Sequence, residues 1–208
     1  LYAETLLAVP FSLYHTFKIE NKYGFTTTPL RVWITDSIKS LVISTDLLAL
    51  VTSAGFLIVQ VSPNLWWVWI WCLFLGFSIV MMYIFPYVIE PLFNKFTPIE
   101  DETLREGIHQ LMQKVGIQVK RIFKMDASKR TKHTNAYFTG VGKAKRIVLF
   151  DTLLASHPEE EVLAVLAHEV GHWKKRHVIK QLLLLEIVSL AMFYAVARLL
   201  NWSLIYQT

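Results

Sequence analysis

Cysteine is almost absent from this sequence: Cys72 is the sole thiol in 208 residues. An intramolecular disulfide is therefore excluded, and so is a thiolate zinc or iron–sulfur centre. Charge is scarce as well, at 18% of residues, where ordinary soluble domains carry about 25%. Internal repeats and low-complexity segments are also missing. With 54% hydrophobic and 13% aromatic residues, the chain buries enough surface to offset its ordering entropy, which excludes disorder. There is no initiating Met and no signal-peptide pattern, so the sequence reads as an internal piece of a longer protein.

What is present in quantity is long apolar sequence. Residues 40–61 contain one acid, Asp46, and residues 65–88 contain no charged side chain. A hydrocarbon core of about 30 Å needs about 20 apolar residues in helix, so each run is long enough to span it. A third span is expected over residues 178–200, although it carries Lys180, Glu186 and Arg198. Residues 1–17 read as the end of an earlier hydrophobic or amphipathic helix. Asp46 and Glu186 are costly in lipid and should face a partner, such as Lys180 for Glu186, or a wet interior.

The positive charge sets an orientation. Lys18, Lys22, Arg31 and Lys39 precede the first span, whereas the connector Ser62-Pro63-Asn64 has no Lys or Arg. Residues 90–177 hold ten Lys and five Arg against eleven acids, which places that region on the cytoplasmic side. Trp66, Trp67, Trp69 and Trp71 open the second span as an interfacial aromatic belt. Net charge +5 would also suit nucleic acid. The basic run Lys174-Lys175-Arg176, however, sits where a helix meets the bilayer and reads as an interfacial anchor, so no nucleic-acid partner is expected.

The expected architecture is a mainly α, polytopic membrane protein with a small α+β domain, which the pattern His168-Glu169-Val170-Gly171-His172 marks as zincin-like and catalytic. Its segments are the end of a helix plus a cytoplasmic loop (1–39), a transmembrane hairpin (40–88), the catalytic region (89–177), and a transmembrane helix with a short tail (178–208). Within the catalytic region, Thr97-Pro98-Ile99-Glu100 reads as a capping box for a helix that Gly116 ends. Residues 119–126 read as a strand and 128–134 as a basic loop. Residues 135–139 and 145–151 read as a β-hairpin whose turn holds Gly140 and Gly142. Ser156-His157-Pro158-Glu159 reads as a second capping box, opening a helix that runs to residue 177.

That last helix carries the chemistry, in His168-Glu169-Val170-Gly171-His172. Two His at i and i+4 lie on one helical face, about 5–6 Å apart at Cβ, which suits two imidazoles meeting one tetrahedral Zn²⁺. Glu169 lies further round the helix, in the general-base position of a zinc metalloprotease. Gly171 in mid-helix costs about 1 kcal/mol relative to Ala, a cost that close approach by a neighbouring element or substrate would explain. His177, five residues beyond His172, would point about 140° away from the pair unless the helix breaks. The extended metzincin pattern is excluded, because its Gly and His positions hold Lys175 and Val178. Glu186 would lie about 21 Å from His172 along a continuous helix, so the third ligand is expected beyond Thr208.

Six ordered blocks carry a family resemblance: Glu20-Asn21-Lys22-Tyr23-Gly24-Phe25, residues 91–98, Ser128-Lys129-Arg130, residues 133–138, residues 146–154, and His168-Glu169-Val170-Gly171-His172-Trp173. Together they resemble the type I CAAX prenyl endopeptidases. The resemblance implies an integral membrane zinc endopeptidase whose spans enclose a large chamber faced by the metal site. Such an enzyme cuts after the prenylated Cys of a CaaX carboxyl terminus, and some members make a second cut upstream. It implies His168 and His172 as zinc ligands, Glu169 as catalytic base, and Asn135-Ala136 as part of a strand that pairs with substrate backbone. His133, in the basic loop, is a further candidate for touching substrate. The initial spans of that family and its later Glu ligand lie outside this sequence.

The expected partners are a peptide or protein substrate, which can be C-terminally prenylated, and the lipid bilayer. The membrane is that of the endoplasmic reticulum in a eukaryote, or the inner membrane in a bacterium. Two other readings stand beside this one. The first is a membrane quality-control zinc protease acting on misfolded or stalled membrane proteins, and the second is an inactive scaffold with a vestigial motif.

Overall fold

The computed structural model describes residues 2–119, 121–139, 146–175 and 177–201. The expected glycine turn at Gly140 and Gly142, and the tail after Asn201, lie outside the described residues. The chain divides into two units, residues 1–37 with 86–171, and residues 38–85 with 172–208.

Three helical stretches among the described residues are long and apolar enough to cross a membrane: Leu30–Val61, Trp66–Phe93 and His177–Leu200. The first is α2, and it begins ten residues before the expected span, so that positions 30–39 are helix and not loop. The second contains α3 (Trp66–Ile84), a π-helical turn at Phe85–Ile89 and α4 (Glu90–Phe93). Pro86 sits in that π turn and accounts for it, because it lacks the N–H that an α-helical ladder needs. The third is α8.

In the unit that holds α3 and α8, these helices pack through edge-to-face rings, Trp67 on Tyr194 at 5.3 Å and Phe74 on Phe193 at 6.4 Å. Trp71 Nε1–H donates to the Glu186 carbonyl at 3.0 Å. Two of the four clustered tryptophans thus join helices together, a use beyond interfacial anchoring. Glu186 itself is buried, and among the described residues neither carboxylate oxygen has a hydrogen-bond partner, so the expected pairing with Lys180 is not made. Asp46 is exposed on α2.

The other unit begins with α1 (Tyr2–Tyr14) and a π-helical turn at His15–Glu20. Its centre is a four-stranded mixed sheet in the order β1-β2-β4-β3. The strands are β1 (Phe96–Pro98), β2 (Arg121–Met125), β3 (Ala136–Thr139) and β4 (Arg146–Phe150). β4 runs parallel to β2 and antiparallel to β3, while β1 is antiparallel to β2. Parallel strands are covered on both faces, and β4 accordingly reads as a continuous apolar run after Arg146, with residues 146–149 all buried.

Helix α5 (Glu102–Lys114) buries Leu104, Ile108 and Met112, and α7 (Glu159–Lys174) buries Val162, Leu166 and Val170. Each triplet recurs every four residues, the spacing of one helical face. Gly107 lets the two helices approach closely, since a Cβ there would lie 3.2 Å from Leu163 Cδ1. Gly116 ends α5 as expected, at φ 73°, with Ile117 N–H donating to the Met112 carbonyl at 2.9 Å.

Neither expected capping box forms. Thr97 and Pro98 belong to β1, and Asp101 caps α5 by accepting from Thr103 N–H and Leu104 N–H. The side chain of Ser156, at the end of α6 (Asp151–Ser156), bonds to the Thr152 carbonyl and to His157. In both places a hydrogen-bonding neighbour that is invisible to a four-residue pattern takes the group the pattern had assigned.

Candidate functional site

Helix α7 carries the HExxH residues, and its sequence explains its ends. Glu159, Glu160 and Glu161 meet the positive N-terminal dipole, and Lys174 meets the negative C-terminal end. The buried stripe 162/166/170 fixes its rotation about the axis. His168 and His172 lie about 120–160° round the helical wheel from Leu166 and Val170, and both are exposed. Glu169, between the two faces, is half-buried. Core packing therefore turns the imidazole pair outward, where an ion and a substrate can reach it. A Cβ at Gly171 would meet nothing within 4 Å among the described residues, so no neighbouring element requires glycine there.

The helix does not run to residue 177 as expected. It ends at Lys174, and α8 starts at His177. No Pro or Gly marks the break, which is why periodicity reads straight through it. The break brings His177 Nδ1 to 2.9 Å from His172 Nδ1, with the two rings edge-to-face at 80°. His177 thus lies beside His172, where a continuous helix would have sent it away.

The donor set fits part of a tetrahedral nitrogen-ligated ion: two imidazoles one helical turn apart, with an acid beside them. Among the described residues, no cluster of three or more His, Cys, Asp or Glu side chains could hold a metal. His168 and His172 are therefore two donors of a set that the described residues do not complete. A cavity of about 470 Å³ in the sheet-bearing unit, lined in part by Lys124, Asp151, His157 and Glu159, includes none of the HExxH residues.

β3 lies at the edge of the sheet, and its backbone polarity can be followed atom by atom. Phe150 N–H donates to the Asn135 carbonyl at 3.0 Å, so that carbonyl faces β4. The other end of the same trans peptide, Ala136 N–H, must point away from β4, toward the outer side of β3. There it donates to Asn135 Oδ1 at 2.8 Å. Asn135 thus covers an edge donor with its own side chain, one way a protein blunts an unpaired strand.

His133 is committed elsewhere. Its Nε2 lies 3.1 Å from Glu20 Oε2, and its ring stacks on Phe25 at 4.4 Å. Beside it, Lys132 N–H donates to the Phe25 carbonyl, and Thr27 N–H donates to the Arg130 carbonyl. Arg130 extends this clamp, with Nε 2.8 Å from Asp36 Oδ2 and Nη1 3.1 Å from Asn94 Oδ1. The basic loop thus ties residues 20–36 to the end of α4.

Sequence reasoning missed a second polar cluster. Arg146, buried in β4, donates to the Pro86 carbonyl and to Glu90 Oε2 at 3.0 Å. Its guanidinium lies over the rings of Tyr87 at 4.8 Å and Phe96 at 5.0 Å. The Tyr137 hydroxyl donates to Glu90 Oε1. The available signals were an acid just after an apolar span and an Arg inside a β-prone run, and neither names the other.

Burial first, and then the Glu90 bond and charge, hold the Tyr137 phenol above its ordinary pKa. A raised pKa means that folding favours the neutral phenol, so the contribution is complete below about pH 10 and declines as pH rises past that value. Wild type should exceed Tyr137→Phe in unfolding midpoint at pH 8, and the gap should narrow between pH 10 and 11. A gap that is constant with pH would refute this linkage.

Comparisons with known proteins agree with these features. A family model for the CAAX prenyl protease N-terminal region, with five membrane helices, matches residues 1–95, and one for peptidase family M48 matches residues 98–207. CAAX prenyl protease 1 of Saccharomyces cerevisiae is 38% identical over 98% of this chain and 45% of its own length. The Arabidopsis thaliana homolog is 41% identical over 89% of this chain and 44% of its own length. The human homolog is 33% identical over 94% and 49%. The crystal structure of S. mikatae Ste24p superposes with a TM-score of 0.90 at 39% identity, covering 95% of this chain and 46% of that one. The chain spans about half the length of the curated relatives it matches.

Proposed function

This chain belongs to the M48 family of CAAX prenyl proteases, and we propose from that premise that it serves a membrane zinc endopeptidase cutting after the prenylated Cys of CaaX-type substrates. The observation that carries the reading is the outward-facing His168-Glu169-His172 constellation on α7, opposite the helix's buried stripe.

In this reading His168 and His172 hold zinc. Bound there, zinc supplies Lewis acidity to the scissile carbonyl and lowers the pKa of the attacking water toward about 7. Glu169 takes the proton from that water as its oxygen bonds to the carbonyl carbon, then returns it to the amine nitrogen as the C–N bond breaks. The outer edge of β3 receives the substrate main chain as a further strand. A substrate carbonyl replaces Asn135 Oδ1 on Ala136 N–H, so the edge stays satisfied before and after binding. His133 orders the loop leading into that strand. The distribution of Lys and Arg supports a cytoplasmic-side catalytic region. The partners are a prenylated peptide or protein and the lipid bilayer.

The test is cleavage, by the purified full-length protein with zinc, of paired CaaX peptides, one farnesylated and one unmodified, followed by mass spectrometry. Cutting confined to the farnesylated peptide, after its Cys, is the expected result. Equal cutting of both would move the assignment to general membrane proteolysis. Zinc uptake without cutting of either would overturn the CaaX assignment.

A further inference from the structure

We propose that His177 is a positioning residue for the metal: its Nδ1 accepts the Nδ1–H of His172, leaving His172 Nε2 as the nitrogen that faces the ion. The proposal rests on the zinc reading of α7 and assigns a role to a residue outside HExxH.

A neutral imidazole carries one proton on two nitrogens, so which nitrogen can ligate is decided by what holds the other. For His172, that other nitrogen is engaged. The Nδ1···Nδ1 separation of 2.9 Å is an ordinary hydrogen-bond length, and one of the two atoms must carry the proton. When His172 is the donor, its Nε2 keeps a lone pair for zinc and its ring plane is held by a partner from the next helix. Metal-bound His commonly has such a partner on its second nitrogen, and loss of that partner typically costs 10–100-fold in metal affinity.

The same distance argues against both Nδ1 atoms binding one ion. Tetrahedral zinc with Zn–N of about 2.0–2.1 Å spreads its nitrogens to about 3.3–3.4 Å. The observed pair is closer than that, as a shared proton requires and a shared metal does not. The edge-to-face rings, 4.9 Å apart at 80°, also differ from a stacked pair held by burial alone.

The break between α7 and α8 supplies the geometry. His177 is the first residue of α8, a 24-residue apolar span. The ring that orients a metal ligand is thus fixed to the start of a membrane helix.

The experiment uses the purified full-length protein as wild type, His177→Ala, His177→Gln and His168→Ala. Zinc affinity is measured by competition with a chromophoric chelator, and the number of imidazole donors by X-ray absorption at the zinc edge. His177→Ala should bind zinc 10–100-fold more weakly, with the donor count unchanged and the unfolding midpoint of the zinc-free protein retained. His177→Gln, whose amide oxygen can accept from Nδ1–H, should recover most of the affinity. Equal affinity of His177→Ala and wild type would overturn the proposal. So would loss of one imidazole from the coordination sphere, which would make His177 a ligand, or an affinity loss matched by unfolding of the zinc-free variant. A wild type that takes up no zinc, or His168→Ala binding as tightly as wild type, would instead remove the zinc reading itself.

Discussion

Glu169→Gln is expected to lower kcat by about a hundredfold to ten-thousandfold on the farnesylated peptide, with zinc content unchanged. Gln keeps the shape and hydrogen-bonding reach of Glu but cannot take a proton from water at neutral pH. The side chain lies one residue, about 100° of rotation, from His168, so replacing it leaves both imidazoles on their own stripe. Its half-buried position between the core stripe and the exposed pair makes the substitution mild for folding. Single-turnover cleavage and metal analysis on the same preparation separate the outcomes. Retained turnover would remove Glu169 as the base, whereas lost zinc would show that it maintains the metal site and would leave the chemical role unsupported.

Arg146→Met should destabilise the sheet-bearing unit by about 3–5 kcal/mol, the usual cost of removing one partner from a buried ion pair. Arg146 and Glu90 side chains are 6% and 15% exposed, so little water is available to replace the lost contact. Without the guanidinium, the Pro86 carbonyl loses a donor and the Glu90 carboxylate keeps, among the described residues, the Tyr137 hydroxyl alone. Removing both charges together, as Arg146→Met with Glu90→Leu, should recover part of the loss, because the variant no longer buries an unpaired charge. Denaturant unfolding in detergent would measure both effects. A loss below about 1 kcal/mol in the single variant would put the pair in the solvent-screened class, and strict additivity in the double variant would deny the coupling.

Much of the molecule was legible from residue patterns. Apolar runs of about 20 residues marked all three spans, because lipid imposes a length and composition that local sequence must satisfy. The spacing of His168 and His172 placed both on one helical face for the same kind of reason, since helical geometry is local. The hairpin partners β3 and β4 were recognisable from β-prone runs around glycines. The failures have a common cause. Thr97 and Ser156 each found a different partner from the one a short motif implied, and α2 reached back to Leu30 through Arg31 and Asp36, where charge had suggested a loop.

The sequence by itself determined membrane residence, the helix that carries the HExxH residues, and the family to which the chain belongs. Only the tertiary structure decided that α7 stops at Lys174, that His177 returns to His172, that Ala136 N–H on the outer side of β3 is met by Asn135 Oδ1, and that Arg146 anchors Pro86 and Glu90. Periodicity and composition record what each segment needs from its surroundings, water, lipid or core. They do not record which distant group will satisfy a particular donor or acceptor, because that depends on distances set only when the elements pack.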